Sequence, residues 1–323
     1  MRPGERRCFV KKYYQGDSLS ECVHPLAGEL LKYRQVAGLV STLRSWLEAL
    51  DGKNRLYPPL NPLSADTGRF GCAKPNLLAV PRDPEVRALF IPDSEDRVFV
   101  YADYRNIELV IAAQLAREER MLEVFRNGGD IHTETAQRVL GNASAGQQAK
   151  TINFGCLYGG GPARLRITAR TEFGLEFSGA EAKKYHSGFF QAYPALRKWH
   201  ARAWNQAEGI TYGASEYGRR RWADPKDRAD HWTWNRFQLC INFEVQGTGA
   251  DALKIALVAL YNRLGGSERR LVLPLHDAVL VQCPRSEAAA TATFTRRIMT
   301  EAFHEILGAD FPVSVDTKIS PQW

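Results

Sequence analysis

The sequence lacks long apolar runs and has only six cysteines, which are scattered. No stretch of about 18 consecutive apolar residues occurs, which excludes a membrane-spanning helix of ordinary length. The first residues, MRPGERRCFVKKYY, are charged and contain no apolar segment of the kind that a signal peptide needs. The cysteines form neither a CxxC pair nor a Cys/His ligand spacing, so neither a disulfide framework nor a zinc site is expected. These absences predict a cytoplasmic protein with reduced thiols and no membrane contact.

Internal repeats and low-complexity tracts are also absent, and the composition is that of a globular protein. The apolar fraction is 44% and the charged fraction 24%, which argues against wholesale disorder. With 323 residues the chain can form one large domain or two modest ones. Lys and Arg number 43 against 36 Asp and Glu, so the net charge is +7. This surplus is compatible with a polyanionic partner, although many basic proteins bind none.

The spacing of apolar residues predicts an α+β chain with a long helical insert. Helical spacing between residues 18 and 50 precedes a Pro-rich loop at 57–68. The later elements are a strand at 97–101, mainly helices over 106–206 with two of them at 180–192 and 194–208, a helix at about 236–264, and a β-hairpin whose runs meet at His276-Asp277. This order favours one α+β domain that a helical domain interrupts.

Two acidic residues lie at the ends of predicted strands. Asp103 follows the apolar run RVFVY, and Asp277 occupies the tip of the hairpin. Taken alone, each acid is better explained as a residue that caps a strand end or faces water. Between them, Lys150, Phe154 and Tyr158 recur at four-residue spacing and so share one helix face. This face would suit the phosphate, sugar and base of a nucleotide; a helix whose aromatic residues are core is the alternative.

Six short motifs follow one another along the chain. They are Thr67-Gly68-Arg69 with Pro75-Asn76-Leu77, Asp103 through Leu109, Asp130-Ile131-His132, Lys150 through Gly159, Asn242 through Asp251, and His276-Asp277. In kind and in order they resemble the motifs of family A DNA polymerases, the DNA polymerase I type. The match covers roughly residues 25–323, and six co-linear motifs are far more specific than any one of them.

The resemblance implies an α+β fold of the right-hand polymerase type. Such a fold has a palm with an antiparallel sheet, helical fingers and a thumb, which would be much reduced here. The implied divisions are a thumb remnant within an N-terminal helical region at 1–60, palm at 61–109, fingers at 110–225, and the second part of the palm at 226–323.

The implied activity is template-directed addition of dNTPs to a primer 3′-hydroxyl by two-metal-ion phosphoryl transfer. Asp103, Asp277 and the main-chain carbonyl of Tyr104 would hold two Mg²⁺ ions, with Mn²⁺ as an alternative. Lys150 would bind the triphosphate and could donate a proton to the leaving group. The implied partners are primer–template DNA and dNTPs, and the implied location in a prokaryote is the nucleoid.

Further site residues come from the same match, position by position. On the nucleotide side the implied contacts are Asn106 and His132 to phosphate, Phe154 to sugar and base, and Tyr158 at the entry of the templating base. Glu108 matches the steric gate that occupies the space of a ribose 2′-hydroxyl and so selects deoxynucleotides. The DNA-contacting set implied by the match is Arg69, Asn76, Asn242, Gln246 and His276, whose contacts would test shape more than sequence.

Two departures from the family pattern bear on catalysis. Ala278 follows Asp277 where a third carboxylate is usual, which would weaken the second metal site. Gly146 stands four residues before Lys150, where the family usually carries an Arg that clamps the triphosphate. The candidates to replace that clamp are Arg138, Arg164 and Arg166.

Other departures rearrange charge. Arg105 and Val110 stand where Ser and Arg are common, and Gln238 stands where a DNA-contacting Arg is common. A basic segment, Arg219 to Trp222 with Lys226 and Arg228, could bind DNA phosphates or could be a solvated charge run.

Only 66 residues precede Thr67, fewer than a long thumb and an exonuclease domain would need. We expect no proofreading, and short, distributive synthesis unless a processivity factor or a thumb-supplying protein partner clamps the DNA. Two alternatives remain open: a catalytically weak DNA-binding accessory protein, for which Gly146 and Ala278 argue, and a template-relaxed nucleotidyltransferase. Incorporation with and without template separates the three.

Overall fold

The computed structural model describes residues 24–81, 83–207, 209–223, 232–265 and 267–323. Its helices are α1 (Pro25–Ala49), α2 (Pro84–Arg87), α3 (Ile107–Ala116), α4 (Glu119–Arg126), α5 (Ile131–Thr135, continued by a π turn at Ala136–Leu140), α6 (Gly146–Leu157), α7 (Pro162–Phe173), α8 (Gly179–Ala192), α9 (Pro194–Ala207), α10 (Trp232–Leu264) and α11 (Ala288–Leu307), with 3-10 turns at Leu77–Ala79 and Arg285–Glu287. Its strands are β1 (Leu60–Asn61), β2 (Gly71–Cys72), β3 (Arg97–Tyr104), β4 (Tyr212–Ala214), β5 (Arg220–Trp222), β6 (Arg270–Leu275), β7 (Ala278–Pro284) and β8 (Val315–Ser320).

The predicted order of elements is confirmed in these ranges. The strand expected at 97–101 is β3, which continues through Asp103 to Tyr104. The hairpin is β6–β7, and α8 and α9 coincide with the two predicted helices within a residue or two. Over the same ranges, no helix combines the length and the apolar character that a bilayer crossing requires.

A four-stranded antiparallel sheet carries the predicted acids. Its strand order is β6-β7-β3-β8. Because side chains alternate along a strand, Val98, Val100 and Ala102 lie on the face that packs into the larger core, toward α10 and α11. The opposite face carries Phe99 in a second core with Trp46 of α1, then Tyr101 and Asp103. Asp103 therefore emerges from the sheet on the face that α11 does not cover.

Strand register brings the two predicted acids together. On β7 the residue opposite Asp103 is Ala278, the neighbour of Asp277. The β6–β7 turn has only two residues, and His276 adopts φ 54° in it. The Tyr104 N–H donates to the carbonyl oxygen of Asp277 at 3.3 Å, which ties the turn to the end of β3. Two acids that are 174 residues apart in the chain thus sit on adjacent strand ends.

The small hairpin β4–β5 is anchored to α10 through Arg219. Arg219 Nε donates to Asp251 Oδ1 at 2.7 Å, and its Nη2 donates to the carbonyl of Thr67 at 2.8 Å. Gly68 has φ 78°, and a Cβ there would lie 2.5 Å from the Arg219 guanidinium carbon. Glycine is therefore required where this loop meets the hairpin. The loop that holds Arg69 is positioned by these contacts.

Candidate active site

One hydrogen-bonded group joins five of the predicted residues. Arg69 Nη2 donates to Glu108 Oε1 and also lies 3.2 Å from Asp277 Oδ1. The Tyr158 hydroxyl donates to Glu108 Oε2, and Gln246 Nε2 lies 3.4 Å from Glu108 Oε1. Glu108, in the first turn of α3, is thus the centre of the group. We call these residues the Glu108 cluster.

Burial shapes the electrostatics of the Glu108 cluster. Burial raises the pKa of Asp277, and the nearby Glu108 charge acts in the same direction, against the opposing effect of Arg69. Burial also raises the pKa of Tyr158 well above its usual range, so its hydroxyl stays protonated and can donate. Desolvation works against the charge of Arg69, but Asp277 and Glu108 together raise its pKa. The guanidinium therefore stays charged between two carboxylates.

A second group lies between α3, α5 and α6. Asn153 Nδ2 donates to His132 Nδ1 at 2.9 Å, which leaves His132 Nε2–H to donate to Asn106 Oδ1 at 3.2 Å. Burial lowers the pKa of His132, so the ring is neutral at physiological pH. The centroid of the His132 ring lies 5.9 Å from that of Phe154, which follows Asn153 on α6. We call these residues the His132 group.

Lys150 lies on the same helix beside the His132 group. It is partly exposed and donates no hydrogen bond to another described residue, yet its charge lowers the pKa of His132. The predicted face of Lys150, Phe154 and Tyr158 is thus real: α6 runs over Gly146–Leu157, and Tyr158 is its C-terminal capping residue. An unpaired ammonium next to a neutral donor group can bind an anionic ligand such as phosphate.

Three of the five predicted DNA-contacting residues do not join either group by hydrogen bonds within the described ranges. Asn76 Oδ1 accepts from the Leu78 N–H at 3.1 Å and caps a short turn, which leaves the amide nitrogen of this exposed residue for other contacts. Asn242 Oδ1 is buried without a hydrogen-bond partner. His276 adjoins Asp277 in the hairpin turn and lowers its pKa slightly against the effect of burial. Their DNA contacts stay predictions.

Two of the family departures have visible consequences. Gln238 Nε2 donates to the carbonyl of Tyr158 at 2.7 Å, so it supports the end of α6. Ala278 is fully buried opposite Asp103, where no acid is present. Of the residues considered as a replacement clamp, Arg138 donates to Glu134 and Arg166 donates to the carbonyl of Phe177.

In the part of the basic segment that the structure describes, most of the arginine side chains contact other residues of the protein. Arg219 bridges Asp251 and main-chain carbonyls, as described above. Arg221 pairs with Asp66 at 2.6 Å, and Arg220 lies 4.6 Å from the ring of Tyr212. Lys226 and Arg228 lie outside the described residues. Arg220, with its side chain at the surface, is the remaining described candidate in this segment for a DNA phosphate.

Asp103 and Asp277 are the candidate ligands for a divalent cation. Asp103 and Asp277 stand on adjacent strand ends, which are tied together by the hydrogen bond from the Tyr104 N–H to the carbonyl oxygen of Asp277. Oxygen ligands of this kind suit Mg²⁺, which binds through one or two carboxylates and keeps water or substrate phosphate as further ligands. Groups of three or more His, Cys, Asp or Glu side chains that could hold a metal do not occur among the described residues. The residues fit a cation that shares its coordination with a bound phosphate.

Two neighbours of these acids are not among the predicted site residues. The Tyr101 hydroxyl donates to Asp103 Oδ2 at 3.2 Å and lines a cavity of about 280 Å³ on the same sheet face. Asp316 on β8 is the other cross-strand partner of Asp103. The two-residue alternation of β3 could have linked Tyr101 to Asp103. Nothing local in the sequence points to Asp316, because strand pairing brings it to the site.

Glu244, on α10 between Asn242 and Gln246, is a further residue with unusual surroundings. Burial and the nearby Glu216 raise its pKa from an ordinary 4.5 to about 7, against the effects of Trp199 and Arg202. Between these two pH values the folded protein binds more protons than the unfolded chain, so stability falls as pH rises. The full shift corresponds to about 3 kcal/mol of unfolding free energy, as an upper bound.

Glu244→Gln should therefore flatten the dependence of stability on pH. The amide is neutral throughout, so the variant should match the wild type near pH 5 and exceed it near pH 8. Urea unfolding of both proteins at the two pH values measures the difference. Glu123→Gln, on an exposed residue of α4, is the control and should leave the pH dependence unchanged. Parallel curves for Glu244→Gln and the wild type would contradict the prediction.

The chain matches a known protein family over most of its length. The model of the family described as "DNA polymerase family A" matches residues 11–323. "DNA polymerase I, thermostable" of Thermus filiformis is 32% identical over 313 residues, which are 93% of this chain and 36% of that protein. "DNA polymerase I" of Aquifex aeolicus is 32% identical over 305 residues, which are 91% of this chain and 50% of that protein. The chain thus spans about a third to a half of the length of these relatives.

A solved structure supports the fold. It is titled "POL domain of Pol1 from M. smegmatis complex with DNA primer-template and dNTP". The TM-score is 0.84 at 24% sequence identity, and the similarity covers 96% of this chain and 56% of that one. The predicted α+β right-hand polymerase fold is confirmed by this likeness.

Proposed function

Because the chain belongs to DNA polymerase family A, we propose that it catalyses template-directed addition of deoxynucleotides to a primer 3′-hydroxyl. The observation that carries the proposal is the meeting of Asp103 and Asp277 on adjacent strand ends, beside the Glu108 cluster. Two acids on adjacent strand ends, beyond the apolar second core on this sheet face, have no packing role that would require them. A phosphoryl-transfer site needs both, because it must hold cations against a polyphosphate.

The implied domain divisions are carried forward as part of this proposal. Residues 61–109 and 226–323, which include the four-stranded sheet, α10 and α11, would be the palm. Residues 110–225, which include α4 to α9 and the β4–β5 hairpin, would be the fingers. The α6 helix would then close over the sheet face that carries Asp103. The Glu108 cluster lies at the junction of α3, α10 and the β6–β7 turn.

Asp103, Asp277 and the carbonyl of Tyr104 would hold two Mg²⁺ ions, for which Mn²⁺ could substitute. When bound, these ions would acidify the primer hydroxyl and offset the charge that develops on the leaving pyrophosphate. Asp277 is met by Arg69 in this structure, at 3.2 Å. We expect this guanidinium to leave Asp277 for the primer–template as cations and DNA bind, since like charges would otherwise share one carboxylate.

The chain's own residues would orient the nucleotide. Lys150 has an ammonium group that is free of described partners and would bind the triphosphate, then donate a proton to the leaving group. His132 is neutral and would act as a hydrogen-bond donor rather than as a cation. Phe154 offers a ring face for sugar and base. Asn106, at φ 51°, holds His132 where strand β3 turns into α3.

The Glu108 cluster would check the shape of the nascent pair. Glu108 is braced by Tyr158, Arg69 and Gln246, so its side chain cannot swing away from an added 2′-hydroxyl without breaking these contacts. A rigid carboxylate excludes a ribose by volume. Arg69 and Gln246 would contact the primer–template in the minor groove, where base pairs of correct shape present similar acceptors.

Primer extension on a labelled primer–template with Mg²⁺ and four dNTPs tests the proposal. We expect a templated ladder that EDTA abolishes. Parallel lanes contain no template, or four rNTPs in place of the dNTPs. Extension without template would favour the template-relaxed nucleotidyltransferase. Tight DNA binding without extension in any lane would overturn the proposal in favour of the accessory protein.

The same assay addresses processivity and proofreading, both of which stay predictions. Ladder length in the presence of a DNA trap reports how long the protein stays on the primer. A thumb-supplying or processivity partner would lengthen the ladder. The surface of α1 is a place where such a partner could bind, because Tyr33, Val36 and Leu47 are exposed there. A labelled primer with a mismatched 3′ end, incubated without dNTPs, should stay intact if proofreading is absent. Shortening of that primer would contradict the prediction.

A further inference from the structure

Arg105 has no role in the mechanism proposed above, although its guanidinium lies on the sheet face that carries Asp103. It stands two residues after Asp103, so strand alternation directs both side chains to one face. The ladder continues this far, because the Arg105 N–H donates to the carbonyl of Ser314 at 2.9 Å. Its partner Asp316 is the residue opposite Asp103 on β8. Arg105 therefore lies beside Asp103, the proposed catalytic acid of β3.

The contact that holds Arg105 is one that a stronger anion can replace. Arg105 Nε donates to Asp316 Oδ2 at 2.9 Å, and Nη2 donates to Oδ1, so the carboxylate is gripped by both arms of the guanidinium. The two side chains are 48% and 55% exposed. An ion pair with this exposure is weak, because water screens it. Phosphate is bound by the same fork and carries more charge than a carboxylate.

Arg105 also lies near α5, the helix that carries His132. Asp130 at the start of α5 is close enough to contribute to the raised pKa of Arg105, after Asp316. Asp130 caps α5 through the N–H groups of His132 and Thr133. The next residue after Arg105 is Asn106, which holds His132. The guanidinium thus lies on the β8 side of Asp103, within electrostatic reach of the residue that caps the helix of His132.

The helix that carries Lys150 offers no arginine of its own for the phosphates. Gly146 lies one turn before Lys150, and the space beside it is open, because a Cβ at this position would meet no atom within 4 Å. Of the three arginines considered as a replacement clamp, Arg138 and Arg166 are engaged with other partners, and Arg164 lies on α7, outside the helix of Lys150, with an exposed side chain. A triphosphate held by Lys150 alone would keep much of its charge uncompensated on the protein side.

We propose that Arg105 binds the triphosphate of the incoming nucleotide and releases Asp316 when it does so. The inference rests on the proposed function and deepens it, since it names a nucleotide-binding residue in the same site. The ligand is a nucleoside triphosphate, gripped through its outer phosphates by the guanidinium fork. Asp316 holds the guanidinium near the site in the absence of nucleotide.

Single-nucleotide incorporation of dTTP tests the role of Arg105. Arg105→Ser should raise KM for dTTP about tenfold with little change in kcat, because a binding contact is lost. Arg105→Lys should recover part of the loss, since it keeps the charge but not the fork. Asp316→Asn should leave KM unchanged or lower it, because it frees the guanidinium. Arg126→Ser, which breaks an exposed pair with Glu119 on α4, is the matched control.

If Arg105 has only a structural role, a different result is expected for these variants. If Arg105 only ties β8 to β3 through Asp316, then Arg105→Ser and Asp316→Asn remove one and the same ion pair. Their effects on KM and on melting temperature would then be equal, and the proposal would be overturned. Equilibrium binding of dTTP to the complex of enzyme with a dideoxy-terminated primer–template, in Ca²⁺, gives a readout without turnover. Weaker binding is expected for Arg105→Ser alone.

The result for the wild-type protein distinguishes failure of this inference from failure of the proposed polymerase function. A wild-type protein that incorporates no dTTP would sink the polymerase proposal itself. Normal incorporation by the wild type with an unchanged KM for Arg105→Ser would sink only the inference about Arg105.

Discussion

Asp103→Asn and Asp277→Asn should each lower the rate of primer extension by at least about 1,000-fold, which corresponds to about 4 kcal/mol of transition-state stabilisation. The substitutions keep the size of the side chain and remove the charge that would hold a divalent cation. Both acids lie at strand ends, so the sheet does not depend on their charge. Single-turnover extension at saturating dNTP measures the loss.

Stability and DNA affinity show whether that loss is chemical. Burial raises the pKa of Asp277, so neutralising it removes a cost of desolvation while it weakens the hold on Arg69. Melting temperature and primer–template affinity should therefore change little in either variant. Asp96→Asn is the control, since Asp96 is an exposed acid just before the far end of β3. If Asp277→Asn extended primers at the wild-type rate, Asp277 would not be a catalytic acid, and the proposed function would lose its main support.

Glu108→Ala should lower the preference for dNTP over rNTP by about 100-fold. Forcing an extra group into a packed site typically costs 1–3 kcal/mol, and alanine opens the space that the carboxylate fills. The loss of preference should come from faster use of rNTPs as well as from slower use of dNTPs, because Tyr158 and Arg69 lose their shared partner. The measurement is the ratio of kcat/KM for dTTP and UTP on one template.

Glu108→Gln separates volume from charge. Glutamine fills the same space, so it should keep the preference for dNTP even if the rate drops. Alanine and glutamine variants with equal preference would show that charge, and not volume, excludes the ribose. An alanine variant as selective as the wild type would show that Glu108 is not the gate.

Much of the site was accessible from short stretches of sequence. Asp103 was expected at a strand end because an apolar run precedes it, and Lys150, Phe154 and Tyr158 were expected on one helix because of their spacing. The β6–β7 hairpin followed from two apolar runs around His276-Asp277. These features depend on residues that are near one another in the chain, so local patterns carry them. The order of the six motifs then identified the family.

The connections between these features were not accessible in the same way. Arg69 meets Asp277 across 208 residues of sequence, and Arg105 meets Asp316 across 211. Arg219, in a segment that could equally have bound DNA, is instead held by Asp251 inside the fold. Such contacts depend on strand register and on helix packing, which bring distant residues to one place and which no local pattern encodes.

The sequence by itself thus determined the family, the order of helices and strands, and the identity of the acids, because each is written in residues close together in the chain. The tertiary structure alone decided which side chains face those acids, which arginines are already committed to a partner, and where burial shifts a pKa, as at Glu244. The physical reason is that charge interactions and desolvation depend on distance through space and on exposure to water, and both are set only when the chain is packed.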